Sequence, residues 1–192
     1  MLHSQRIAIY GVGLIGGSIS LALRAAGYQG EIVGCGRRES ELVRAVALGV
    51  IDSYALDPAE AAQGADLHLL CVPVLAMQSV MAAIAPHCAD DAVITDVGST
   101  KQSVIAAAQA AFGELPAGFV PGHPIAGTER TGVTAAFPEL YRERLAILTP
   151  TEQSSESAIR EVEQLWRGCG ARTIRMAAQH HDDVLAWLKQ NL

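Results

Sequence analysis

A chain of 192 residues that is 50% hydrophobic and 18% charged can bury one full core and is too apolar for a disordered polymer. Its formal net charge of −6 argues against a general nucleic-acid footprint, and no apolar run reaches the roughly 18 residues needed to cross a bilayer. Met1–Arg6 lack the layout of a signal peptide, and the four scattered cysteines form no C-x-x-C pair, so the expectation is a cytoplasmic protein with free thiols and no metal site.

The elements alternate. Arg6–Tyr10 predicts a buried strand ended by glycine, and Ile15–Ala26 a helix stopped by Gly27. Glu31–Gly34 is a second strand, Glu39–Leu48 a helix with one apolar face, and Ile51–Tyr54 a short third strand. Asp66–Val72 predicts a fourth strand closed by Pro73, then a helix over Val74–Ile84. Ala92–Val97 is a fifth strand, followed by a helix from Lys101 to Phe112. Gly118–Pro121 predicts a short sixth strand that enters a loop carrying His123. Leu145–Leu148 and Arg172–Met176 are further strands, with an apolar helical stripe of Ile159, Val162, Leu165, Trp166 and Cys169 between them. Repeated βα units imply an α/β fold of the Rossmann-type doubly wound kind, a mostly parallel sheet with helices on both faces.

An amphipathic segment, His180–Leu192, ends the chain, and its Val184, Leu185, Trp187 and Leu188 have no predicted cover. Its His180-His181-Asp182-Asp183 run suggests a metal site, but neighbours on a helix point about 100° apart, so the expectation is a solvated helix start.

Gly11-Val12-Gly13-Leu14-Ile15-Gly16 is G-x-G-x-x-G between a strand and a helix, the context in which the string binds a dinucleotide. Gly11 permits the tight turn, Gly13 lets the pyrophosphate approach the backbone beside Leu14 and Ile15, and Gly16 lets helix and strand pack closely. An NAD site expects an acidic residue at the end of the second strand. Here Arg37 and Arg38 follow Gly36, which favours a 2′-phosphate and hence NADP, with NAD possible. Glu39 stands where it could pair with either arginine and weaken that site. Val72 and Pro73, at the end of the fourth strand, are placed on the same cofactor crevice.

Two later segments belong at strand ends that line the same crevice: Asp96-Val97-Gly98-Ser99-Thr100-Lys101, and Gly122-His123-Pro124-Ile125-Ala126-Gly127-Thr128-Glu129. With Gly11–Ser18 they run in the order and spacing of the prephenate/arogenate dehydrogenase family, and the chain resembles that family's cofactor domain over about residues 6 to 187. The resemblance implies an NAD(P)-dependent oxidative decarboxylation of prephenate or arogenate in tyrosine biosynthesis. It implies that His123 binds the ring hydroxyl and takes its proton, that Ser99 hydrogen-bonds the same hydroxyl, and that Thr128 and Glu129 stand at the substrate mouth. Family members continue into an all-helical domain that forms a homodimer and supplies an arginine clamp for the substrate. On this reading residues 1–176 are the dinucleotide-binding domain, residues 177–192 begin a truncated helical domain, and a dimer is expected only with that domain present. Two alternatives stay open: a non-catalytic NADP-binding module, and a different Rossmann reductase acting on a small hydroxy acid.

Overall fold

The structure, a computed structural model, describes residues 2–191; the expectations for Met1 and Leu192 lie outside the described residues. Five parallel strands form the main sheet: β1 (Arg6–Tyr10), β2 (Glu31–Cys35), β3 (Ser53–Ala55), β4 (Leu67–Leu70) and β5 (Val93–Asp96), in the order β3-β2-β1-β4-β5. Direction along the sheet reverses between β1 and β4, which opens a crevice at the carboxyl ends of the central strands.

Strand side chains alternate between two cores, as a sheet covered on both faces requires. Ile7, Ile9, Leu67 and Leu69 face one core with α1 (Leu14–Ala25), α2 (Glu39–Ala47) and α6 (Glu156–Gly168). Ala8, Tyr10 and Leu70 face the other with α3 (Pro58–Ala62), α4 (Val74–Ile84) and α5 (Lys101–Phe112). The expected stripe of α6 is core: Ile159, Val162, Leu165 and Trp166 are all buried, as is the capping Cys169.

The chain then builds a second, three-stranded sheet from β6 (Gly122–Pro124), β7 (Leu145–Leu148) and β8 (Arg172–Arg175), with β6 antiparallel and β8 parallel to β7. This corrects the sixth strand. Gly118–Pro121 only brushes β5 through a bridge at Ile94 and Phe119, and the strand proper is Gly122–Pro124, so His123 sits in a strand and not in a loop. The missed element α3 is a five-residue helix capped by Asp57, whose carboxylate accepts the Ala59 N–H. The other expected ends move by one or two residues, where terminal pairing frays.

The last helix, α7 (Ala178–Asn191), packs on α5 and leaves Val184, Trp187 and Leu188 exposed. The first turn of that helix corrects a second expectation. It is not a solvated helix start, because His181 is fully buried. All four cysteines are free thiols, and no helix among the described residues is long and apolar enough to cross a membrane.

Candidate active site

The glycine turn closes β1 onto α1. Gly11 has φ of +101°, and a Cβ there would stand 2.7 Å from the Cys71 carbonyl oxygen, so both its conformation and its neighbours demand glycine. A Cβ on Gly16 would lie 2.4 Å from the Gly11 oxygen and 2.8 Å from Ile9 Cγ2, which is the close contact of helix on strand. Gly13 is different: a Cβ there would meet nothing within 4 Å. The bare backbone at Gly13 therefore faces open space at the start of α1. That helix has no capping side chain and no acidic residue in its first turn. Its first N–H groups have no acceptor within the helix and present partial positive charge to that space. This cradle fits a pyrophosphate. Leu14 is buried and Ile15 half-buried, with the Ile15 carbonyl accepting the Tyr141 hydroxyl, so these residues offer the cradle backbone and not side chain.

Arg37 and Arg38 lie just past β2, both exposed and in no ion pair among the described residues, with Arg38 at the N-cap position of α2. Glu39 does not pair with them. Its carboxylate accepts the Tyr54 hydroxyl at 2.9 Å. The two guanidinium groups are thus left free beside the carboxyl end of β2. Val72 is half-buried and Pro73 exposed at the end of β4, where Pro73 holds the N-cap position of α4.

The segment after β5 is organised around Asp96 and Lys101, both fully buried. Asp96 accepts the Gly98 N–H with one oxygen and the Gly122 N–H, at 3.0 Å, with the other. The Lys101 ammonium donates to Asp96 and to the Gly122 carbonyl. Burial pulls the Lys101 pKa down, against the pull of the Asp96 carboxylate. Two charges that could not be buried alone are paired, and together they grip both polar groups of Gly122, the residue before His123.

His123 is half-buried on β6, and its Nδ1 lies 2.9 Å from Nε2 of His181 on α7. His181 Nδ1 in turn lies 2.8 Å from Asp182 Oδ1. Asp182 accepts the backbone N–H groups of Lys101 and Gln102, so it also caps the start of α5. Burial pushes the Asp182 carboxyl up, but those two N–H groups and the His181 ring outweigh it and hold the pKa below the usual value. Burial, then the Lys101 ammonium and the neighbouring His181 and Lys189, lower the His123 pKa to about 4 against the opposing Asp182. His123 is therefore a neutral imidazole at physiological pH.

Ser99 is exposed in the turn between β5 and α5, and among the described residues no hydrogen bond joins it to His123. Thr128 and Glu129 are exposed beyond β6, and the Thr128 hydroxyl accepts the Arg130 N–H at 3.2 Å. A cavity of about 450 Å³ opens beside Thr128, lined also by Glu139, Arg142 and Arg144. No group of three or more metal-ligating side chains clusters among the described residues. Sequence reasoning missed Asp96, Lys101, His181 and Asp182. Their signal was a set of charged or polar residues at the ends of apolar elements, but the contacts that tie them to other elements reach 21 to 81 residues along the chain.

The family described as "Prephenate dehydrogenase, nucleotide-binding domain" matches residues 19–175. The cyclohexadienyl dehydrogenase of Zymomonas mobilis is 43% identical over 185 residues, 95% of this chain and 61% of that protein. The prephenate dehydrogenase of Lactococcus lactis is 35% identical over 181 residues, 94% of this chain and 49% of that protein. Among solved structures, prephenate dehydrogenase from A. aeolicus in complex with hydroxyphenyl propionate and NAD+ superposes with a TM-score of 0.88 at 32% identity, covering 94% of this chain and 63% of that one. Synechocystis arogenate dehydrogenase superposes with a TM-score of 0.87 at 28% identity, covering 95% and 63%. The chain thus spans between about half and two thirds of the length of these relatives. With the glycine cradle, the Asp96–Lys101 pair and His123 on one edge of the fold, the chain belongs to the prephenate dehydrogenase nucleotide-binding family.

Proposed function

We propose that this chain is the nucleotide-binding and proton-accepting part of an NAD(P)-dependent prephenate or arogenate dehydrogenase. The observation that carries the reading is the half-buried His123 imidazole, fixed by Gly122 to the β5 end of the crevice that also holds the glycine cradle. The Gly11–Gly16 cradle would hold the nicotinamide cofactor, which would supply the hydride acceptor for the ring carbon bearing the substrate's hydroxyl. His123 accepts the hydroxyl proton as the C–O bond gains double-bond character. The carboxylate then leaves as carbon dioxide, its bonding electrons complete the aromatic ring, and the resulting phenolate oxygen takes the proton back from His123. Ser99, exposed at the turn, is free to donate to the same oxygen, and Thr128 and Glu129 stand at the mouth.

The free Arg37 and Arg38, with Glu39 occupied by Tyr54, favour the 2′-phosphate of NADP over NAD. In this reading residues 1–176 carry the nucleotide, residues 177–192 open the helical part, and that part makes any dimer. The free thiols fit the reducing cytoplasm.

The test is turnover with prephenate and with arogenate, each with NAD and with NADP, by this chain joined to the helical part of the Zymomonas mobilis relative. Reduction of the nicotinamide that depends on either substrate supports the reading. Tight cofactor binding with neither substrate turned over leaves the non-catalytic module as the better account.

A further inference from the structure

We propose that His181 and Asp182 are positioning residues that fix the tautomer of His123, leaving its Nε2 bare as the proton acceptor. The inference rests on the proposed role of His123 and adds two residues from α7.

The Asp182 carboxylate accepts two backbone N–H groups and, ionised, can only accept. The His181 Nδ1 at 2.8 Å from it must therefore carry a proton. A neutral His181 then has a lone pair on Nε2. That lone pair lies 2.9 Å from His123 Nδ1, which must donate to it. The remaining nitrogen of His123, Nε2, has no proton. A free imidazole prefers the opposite form, with the proton on Nε2, which would present a donor where the reaction needs a base. Asp182 to His181 to His123 is thus a chain of directed hydrogen bonds of the kind that orients a catalytic imidazole in other enzymes.

The surroundings hold this chain in register. His181 is fully buried, so water does not compete for either of its nitrogens. The two rings meet edge to face with centroids 5.1 Å apart, which locks their planes. Lys101 secures both ends: its side chain binds the carbonyl of Gly122, next to His123, and its backbone N–H binds Asp182. As His123 takes a proton, the positive charge can be shared along the chain toward the Asp182 carboxylate, which offsets the nearby Lys101 ammonium.

The tautomer can be read directly in this chain, without substrate, from the nitrogen chemical shifts of 15N-labelled histidine at neutral pH. The expected result is a protonated-type Nδ1 and an unprotonated-type Nε2 on His123. In His181→Leu, which removes the acceptor, His123 should move to a majority Nε2–H form. In His181→Gln, whose amide oxygen can stand at the position of Nε2, the Nδ1–H form should persist. A proton on His123 Nε2 in the parent protein overturns the proposal, as does an unchanged His123 tautomer in a folded His181→Leu. The parent spectrum decides even where a variant fails to fold. If the tautomer is as stated and His123 still proves dispensable for turnover, the catalytic reading fails while the hydrogen-bond chain stands.

Discussion

The glycine cradle and the His123 cluster share one edge of the fold but are built over very different lengths of chain. The cradle is six consecutive residues, Gly11 to Gly16, whose function depends on backbone and on the single turn from β1 to α1. The His123 cluster joins residues from β5, α5, β6 and α7, with hydrogen bonds that reach across 26, 58 and 81 residues. A local site survives whatever leaves the first strand and helix in place. A site assembled from four elements exists only when all of them dock, and it concentrates its risk in a few buried polar groups.

The largest expected effect follows from this difference. Lys101→Met leaves the Asp96 carboxylate buried without its partner and frees the grip on Gly122. Breaking a buried pair in this way should cost about 3–5 kcal/mol in urea unfolding. Nucleotide affinity of the protein that remains folded should be unchanged, because the cradle does not touch Lys101. A loss below about 1 kcal/mol, or a parallel loss of nucleotide binding, would show that the two regions are not separable as described.

Next in size is His123→Asn. In the chain joined to the remaining segment of the Zymomonas mobilis relative, kcat should fall by at least about 10²-fold, the usual worth of a positioned base. Ser99→Ala should cost less, since it removes a hydrogen bond and leaves the proton acceptor. Titration calorimetry should find cofactor affinity the same in both variants as in the parent.

The smallest effect belongs to the other region. Replacing Arg37 and Arg38 together by alanine should weaken NADP by about 1–3 kcal/mol and leave NAD nearly untouched. Equal losses for the two cofactors would remove the basis for the NADP preference while leaving the cradle intact.

The same contrast explains what could be read from the chain before its fold was known. Strand and helix periodicity and the glycine turn are short-range signals, and they yielded the parallel sheet and the cradle. Gly16 needed only its neighbours in sequence to be assigned to close packing, and a Cβ there does collide with Ile9. His181 could not be assigned in that way. Helical geometry argues against a metal pair with His180, but it does not say which face of α7 meets α5, and that face decides burial. Likewise the motif from Asp96 to Lys101 drew attention to Ser99, the one member with an exposed hydroxyl. The buried ends of the motif, which tie β5 to β6, are visible only once Gly122 is seen beside them. The sixth strand shifted for a similar reason: β6 owes its existence to pairing with β7, some 20 residues later in the chain.

The measurement that bears most directly on His123 as the proton acceptor is the pH profile of kcat/KM for prephenate, in the joined protein and its His123→Asn variant. The base must be neutral, so activity falls as pH drops through its pKa. Burial and the Lys101 charge lower that pKa, so the acid limb should lie at about 4, well below the usual imidazole value. The limb should vanish in the residual activity of His123→Asn. An acid limb of the same position and steepness in both proteins would contradict the assignment.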